Sequence, residues 1–136
     1  SRESNRVASE VMVEMATVGV NCTAQDAARV LVEQNTDILS VVDATNRVVG
    51  IVTDWDITQA ASQNKIGGVK VDEIMTRQFF GCKPNDSILD AVTILEQHDI
   101  SALPVLSPEG QVLGVVTANL LATRTLYRLL LKEQQT

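Results

Sequence analysis

The chain has 136 residues, 45 % of them apolar and 21 % charged, with seven Gly and three Pro; this is ordinary globular composition, long enough to bury a core without staples and unlike disordered or collagen-like chains. No apolar run approaches the roughly 18–20 residues of a membrane-spanning helix, and a formal charge of −6 sets the average surface against phosphate polyanions, so the chain reads as soluble and cytoplasmic, with neither nucleic acid nor membrane as partner. Cys22 and Cys82 lie far apart without a C-x-x-C spacing, which points to a reducing compartment and no metal site. The chain starts at Ser1 without Met or an apolar leader, and is expected to be a domain cut from a longer protein.

In chain order, residues 17–20 read as a short strand and Thr23 as the cap of a helix over 24–34. A strand at 39–42, a turn at Ala44-Thr45-Asn46 and a strand at 48–53 follow, then a helix over 54–63. Gly67-Gly68 marks a joint. Beyond it, 79–82 reads as a second short strand, and Lys83-Pro84-Asn85-Asp86 supplies turn residues before Ser87 caps a helix. On that helix Ile88, Ala91, Val92 and Leu95 recur at i, i+3, i+4 and i+7, one apolar stripe for packing on a sheet. A strand at 102–106, a hairpin turn at Ser107-Pro108-Glu109-Gly110, an aliphatic strand at 112–117 and a helix over about 118–131 complete the chain.

The two halves are copies of one unit. Val48-Val49-Gly50-Ile51-Val52-Thr53 matches Val112-Leu113-Gly114-Val115-Val116-Thr117 at an offset of 64, which holds without a gap back to Asp26 and Asp90. Upstream, Val11-Met12 matches Ile74-Met75 at an offset of 63. The expected architecture is therefore α/β: two β-α-β-β-α repeats, 6–66 and 69–131, packed sheet to sheet around a pseudo-twofold axis. Strands this apolar on both faces must be covered twice, and a unit of this size is marginal alone. Two related clefts are expected where strand ends meet helix starts.

Ile74-Met75-Thr76, Ile100-Ser101-Ala102-Leu103-Pro104-Val105 and Gly114-Val115-Val116-Thr117 together resemble a pair of CBS domains, the Bateman module, from about residue 6 to 130. Gly50-Ile51-Val52-Thr53-Asp54-Trp55-Asp56-Ile57 resembles the family's GxxTxxD signature in full. The resemblance implies a regulatory module that binds an adenosine-containing ligand: AMP, ADP, ATP or S-adenosylmethionine. It places Thr53 and Asp56 on the ribose, with Ile51 beside them, and surrounds the adenine with Ile74, Met75, Thr76, Phe80, Ile100 and Ser101. A carboxylate can accept from both vicinal hydroxyls, and a helix start favours nearby phosphate. Arg77 and Lys83 are the candidate phosphate contacts, with Lys65 and Lys70 further off; each is also an ordinary surface charge, so the phosphate count stays open. The second cleft departs from the pattern, with Leu120 in place of the signature Asp and Asp37 where Ser101 stands in the other copy. It is expected to be empty or to take something different.

Thr53-x-x-Asp56 is also a capping-box pattern, as are Thr23-x-x-Asp26 and Ser87-x-x-Asp90, which are read as caps alone. The competing reading follows: a structural dimerisation module, part of a larger protein, with vestigial clefts. Trp55 is assigned to packing or an interface, His98 to a helix C-terminus, and Met12, Met15 and Met75 to core or pocket wall. The leucines of the last helix exceed one stripe, which together with the resemblance implies a homodimer, and an attached or partner domain is expected to read the ligand state. No phosphate loop, metal cluster, GxSxG or Cys–His pairing suggests an enzyme, and no cofactor is expected.

Overall fold

A computed structural model describes residues 6–134, so most of the polar N-terminal segment lies outside the described residues. Its elements are α1 (Ala8–Val11), β1 (Thr17–Gly19), α2 (Ala24–Glu33), β2 (Ile38–Val42), β3 (Val48–Thr53), α3 (Asp54–Ser62), a 3-10 turn (Val71–Glu73), α4 (Ile88–His98), β4 (Ala102–Leu106), β5 (Val112–Thr117) and α5 (Ala118–Gln134). In the first repeat β1 runs parallel to β2, which is antiparallel to β3; in the second, β4 and β5 form an antiparallel pair. The repeat is visible in the backbone itself. Asn35 and Asp99 both take left-handed conformations after a helix, and Asn46 and Gly110 do so in the two hairpins. Both hairpins carry a register shift, at Val41/Val42 and at Val105/Leu106.

The strand expected at 79–82 is absent: Cys82 makes one isolated parallel bridge, to Val105. The reason lies at position 104. In the first repeat the Ser40 N–H donates to Ala16 O at 2.9 Å and ties the incoming segment to β2. Its counterpart is Pro104, which has no N–H to give, so only the Cys82 N–H to Pro104 O and Leu106 N–H to Cys82 O bonds remain, each 2.9 Å.

Helix faces pack as their spacing dictates. Ala24, Ala27 and Leu31 of α2 are buried, and so are Ile88, Ala91 and Leu95 of α4. Each repeat, however, completes its core with the other repeat's leading segment. Ala8 and Val11 of α1 pack with Leu95, Leu103, Val105 and Val116, while Val71 and Met75 pack with Leu39, Val41 and Val52. Backbone bonds fix the exchange, Ala8 N to Asp86 O and Ala24 N to Val69 O, both 2.8 Å. Between the sheets a third cluster, Met15, Ile38, Ile51, Ala102 and Val115, joins the repeats around the pseudo-axis.

Gly50 and Gly114 make room for the exchanged segments. A Cβ on Gly114 would lie 2.7 Å from Met12 Sδ, and one on Gly50 would collide with Met75 Sδ. Thus the first residue of the GxxT pattern receives a methionine in both copies. Among the described residues no helix is long and apolar enough to cross a membrane.

Candidate functional site

The junction between β3 and α3 positions the signature. Thr53 leaves β3 in extended backbone and caps α3. Its hydroxyl accepts the Asp56 N–H at 3.3 Å and donates to Asp56 Oδ2 at 3.1 Å, while Oδ2 also accepts the Thr53 N–H at 2.9 Å. Both residues are half-buried. The Thr23 and Asp26 cap has the same reciprocal bonds, and there the Thr23 backbone N–H and then its side chain hold the Asp26 carboxylate below its usual range. The local geometry of Thr53 and Asp56 is therefore that of a helix cap, with Asp56 Oδ1 left without a partner among the described residues.

What distinguishes Thr53 is the cavity beside it. A space of about 480 Å³ is lined by Ile38, Ile51 and Thr53 of the first repeat and by Thr76, Phe80, Ile100 and Ser101, with Gln78, Phe79, Asp99, Ala102, Pro104 and Ala118 completing the wall. This volume suits a small-molecule ligand. Thr76 is held there by reciprocal backbone bonds with Ile51, at 3.0 and 2.8 Å. The Ala118 N–H donates to Ser101 O at 2.8 Å and pins the 99–102 loop to the start of α5. The Phe80 ring is stacked with the His98 ring, centroids 3.6 Å apart. The walls are mainly apolar, and hydroxyls, an amide and a carboxylate stand among them, a combination that can bury a flat heterocycle and orient a polyol.

Of the residues singled out in sequence, Ile51, Thr53, Thr76, Phe80, Ile100 and Ser101 come together on this cavity, and Asp56 adjoins it through Thr53. Ile74 and Met75 do not line it. Both pack on the first repeat's core, drawn there by the leader exchange and, for Met75, by the room that Gly50 leaves. Arg77 donates to Asp72 O at 3.1 Å, and Lys83 lines a different cavity beside Pro84, Ser107 and Pro108. Lys70 reaches Asn21 O at 3.2 Å. Sequence reasoning missed Ile38, Gln78, Phe79, Asp99, Ala102, Pro104 and Ala118. The repeat offset pairs Ile38 with Ala102 and Asn35 with Asp99, and was the available signal for these; Gln78 lies in an irregular segment that carries none.

The related cleft, about 660 Å³, is lined by Asn35, Thr36, Asp37, Asp54, Thr117 and Asn119, with Leu31 and Val32 and with Ser101 and Ala102 shared between the two spaces. Here Thr117 Oγ1 accepts only the Leu120 N–H, at 3.0 Å, and Leu120 is half-buried off the wall. Trp55 is 63 % exposed, so it belongs to neither cavity nor core.

The chain matches the CBS domain family over residues 8–63 and 71–123. It is 33 % identical over 111 residues to a homoserine O-acetyltransferase of Methanohalophilus mahii, covering 81 % of this chain and 22 % of that protein, so it spans about a fifth of this curated relative. Its fold is similar to that of the CBS domain pair of protein MJ0100, solved with 5′-methylthioadenosine and S-adenosyl-L-methionine, at a TM-score of 0.84 and 27 % identity over 90 % of this chain and 98 % of that one. It also resembles CBSX2, solved with AMP, at a TM-score of 0.80 and 23 % identity over 89 % and 96 % of the two chains. With both repeats matched, the chain belongs to the CBS domain family as a tandem pair.

Proposed function

We propose that this chain is a regulatory module that binds an adenosine-containing ligand, AMP, ADP, ATP or S-adenosylmethionine, in the cleft between β3–α3 and the 99–102 loop, and that it does not itself catalyse a reaction. One observation carries the reading: a single cavity joins Ile51 and Thr53 of the signature to Phe80, Ile100 and Ser101 of the opposite repeat. The adenosyl ligands of the MJ0100 pair support it. Binding would bridge the repeats, and an attached domain or partner would read their arrangement. The second cleft has no counterpart of Asp56 and is lined by Asp37 and Asp54, so one adenosyl ligand per chain is expected.

The test compares two caps of the same chemistry. Asp26→Ala and Asp56→Ala each remove a capping carboxylate, at a cost of about 1 kcal/mol, but only Asp56 adjoins the cavity. At about 100 times its dissociation constant, a ligand stabilises by about 2.7 kcal/mol. Adenosyl ligands should raise the melting temperature of wild type and Asp26→Ala and leave Asp56→Ala unmoved. If Asp56→Ala responds as Asp26→Ala does, Thr53 and Asp56 only cap α3.

A second reading concerns assembly. Val32, Trp55, Leu89 and Leu126, one on each of α2 to α5, are 60–80 % exposed, and an apolar groove lined by Val92, Leu95, Leu121 and Leu126 lies between α4 and α5. These helix faces support an isologous homodimer.

A further inference from the structure

We propose that the ligand of the Thr53 cleft is a nucleoside whose 5′ substituent is uncharged or cationic rather than phosphorylated. The inference rests on the adenosyl reading above and narrows it by charge. Among the described residues no Lys, Arg or His side chain lines this cavity, and its only charged group is the carboxylate of Asp99. Of the basic residues next to the wall in sequence, Arg77 donates to the Asp72 carbonyl and Lys83 lines a separate space, and neither lines this cavity.

Helix starts do not replace them. The first turn of α3 carries Asp54 and Asp56, whose full negative charges outweigh the roughly half positive charge of a helix N-terminus. The start of α5 adjoins the cavity through Ala118, but the Ala118 and Leu120 amides are already bonded to Ser101 O and Thr117 Oγ1. A substituent that leaves the cleft over Ser101 enters the neighbouring space, where the charged groups are again carboxylates, Asp37 and Asp54. A phosphate monoester carries about −1.5 to −2 at neutral pH and is ordinarily met by Arg, Lys or bare helix amides. The charged side chains that line the two spaces, Asp99, Asp37 and Asp54, all have the wrong sign for it. A thioether incurs no such repulsion, and a sulfonium is attracted.

Asp99 and Gln78 allow a direct test because both are exposed and off the core. Asp99 holds a left-handed backbone with φ 50, which Asn also tolerates, so Asp99→Asn removes the charge and keeps the turn. Titration calorimetry of the full chain at low ionic strength would compare 5′-methylthioadenosine, S-adenosylmethionine, AMP and ATP. We expect the first two to bind at least about tenfold more tightly than AMP, and ATP to be weaker still. Asp99→Asn should weaken S-adenosylmethionine several-fold more than methylthioadenosine, and Gln78→Lys should strengthen AMP several-fold. AMP or ATP binding to wild type as tightly as methylthioadenosine overturns the charge inference while leaving the adenosyl reading intact. Equal effects of Asp99→Asn on the sulfonium and the thioether also overturn it. Failure of all four ligands to bind removes the adenosyl reading itself.

Discussion

Adding one methyl group to Gly50 tests how the repeats are keyed together. Its backbone needs no positive φ, so Gly50→Ala by itself should stabilise by about 0.4–1 kcal/mol through the unfolded chain. In the folded chain the new Cβ would press on the Sδ and Cγ of Met75, a side chain 9 % exposed in the first core. Overpacking of that kind costs about 1–3 kcal/mol, and because the thioether end can turn aside, the net loss should be about 1 kcal/mol. At Gly114 the same change meets Met12 Sδ and also the Val13 carbonyl oxygen at 2.9 Å, the oxygen that accepts the Val115 N–H at 2.8 Å. Backbone cannot turn aside, so Gly114→Ala should cost about 2–3 kcal/mol. Urea unfolding of two double-mutant cycles separates the causes. Met75→Ala should offset most of the damage of Gly50→Ala, with a coupling of about 1 kcal/mol, whereas Met12→Ala should offset less than half of that of Gly114→Ala. Zero coupling in the first cycle, or a Gly50→Ala variant more stable than wild type, would refute the keyed contact.

Burial, reinforced by the Asp86 charge, pushes the Cys82 thiol up to about 11 from 9.0; the folded chain keeps this proton where the unfolded chain loses it, so stability present below about pH 9 should fall by on the order of 2 kcal/mol as pH rises toward 11. Urea midpoints at about pH 8 and pH 10.5 should show the fall in wild type and a shallower one in Cys82→Ala, and parallel slopes would disprove it; Cys22, raised by burial and then by the Asp26 charge, adds in the same direction in both proteins. For assembly, sedimentation equilibrium should find a dimer at micromolar concentration that Leu126→Glu dissociates, Leu126 being 61 % exposed on α5; a monomeric wild type removes the dimer reading.

The repeat was legible because backbone demands recur at a fixed offset: Gly50 with Gly114, Asn46 with Gly110, Thr53 with Thr117. The helix stripes were legible for the same reason, since 3.6-residue spacing decides which side chains face a sheet. Periodicity says that a segment is apolar but not which core receives it. The match of Met12 with Met75 therefore appeared only as an alignment, and the exchange of leaders, which takes Ile74 and Met75 off the cavity wall, did not. The strand at 79–82 failed on one atom, the amide hydrogen Pro104 lacks. Ile51, Thr53, Thr76, Phe80, Ile100 and Ser101 of the cavity wall were readable from the resemblance. Gln78 lies in an irregular segment where position follows from tertiary contacts, and Asp99, for which only the repeat offset gave a signal, shows its place on the wall in the folded chain.

The exchange of leaders bears on how binding could be felt elsewhere. Thr76 stands on the cavity wall at the end of a segment whose Val71 and Met75 lie in the first core, and Phe79 and Phe80, three and four residues on, reach the same cavity beside the second repeat's loop. A ligand there would touch both repeats and the strap between them. Two rigid halves joined only by Gly67-Gly68 could separate without disturbing either core. Halves that each lend a segment to the other cannot, because moving one draws Val71 or Val11 out of a buried site. Separation would thus expose apolar surface at about 25 cal/mol per Å², a cost that would disfavour it relative to small rotations about the Met15, Ile38, Ile51, Ala102 and Val115 cluster. A ligand bridging Thr53 and Ser101 would shift such a rotation only by its difference in affinity for the two ends of the motion.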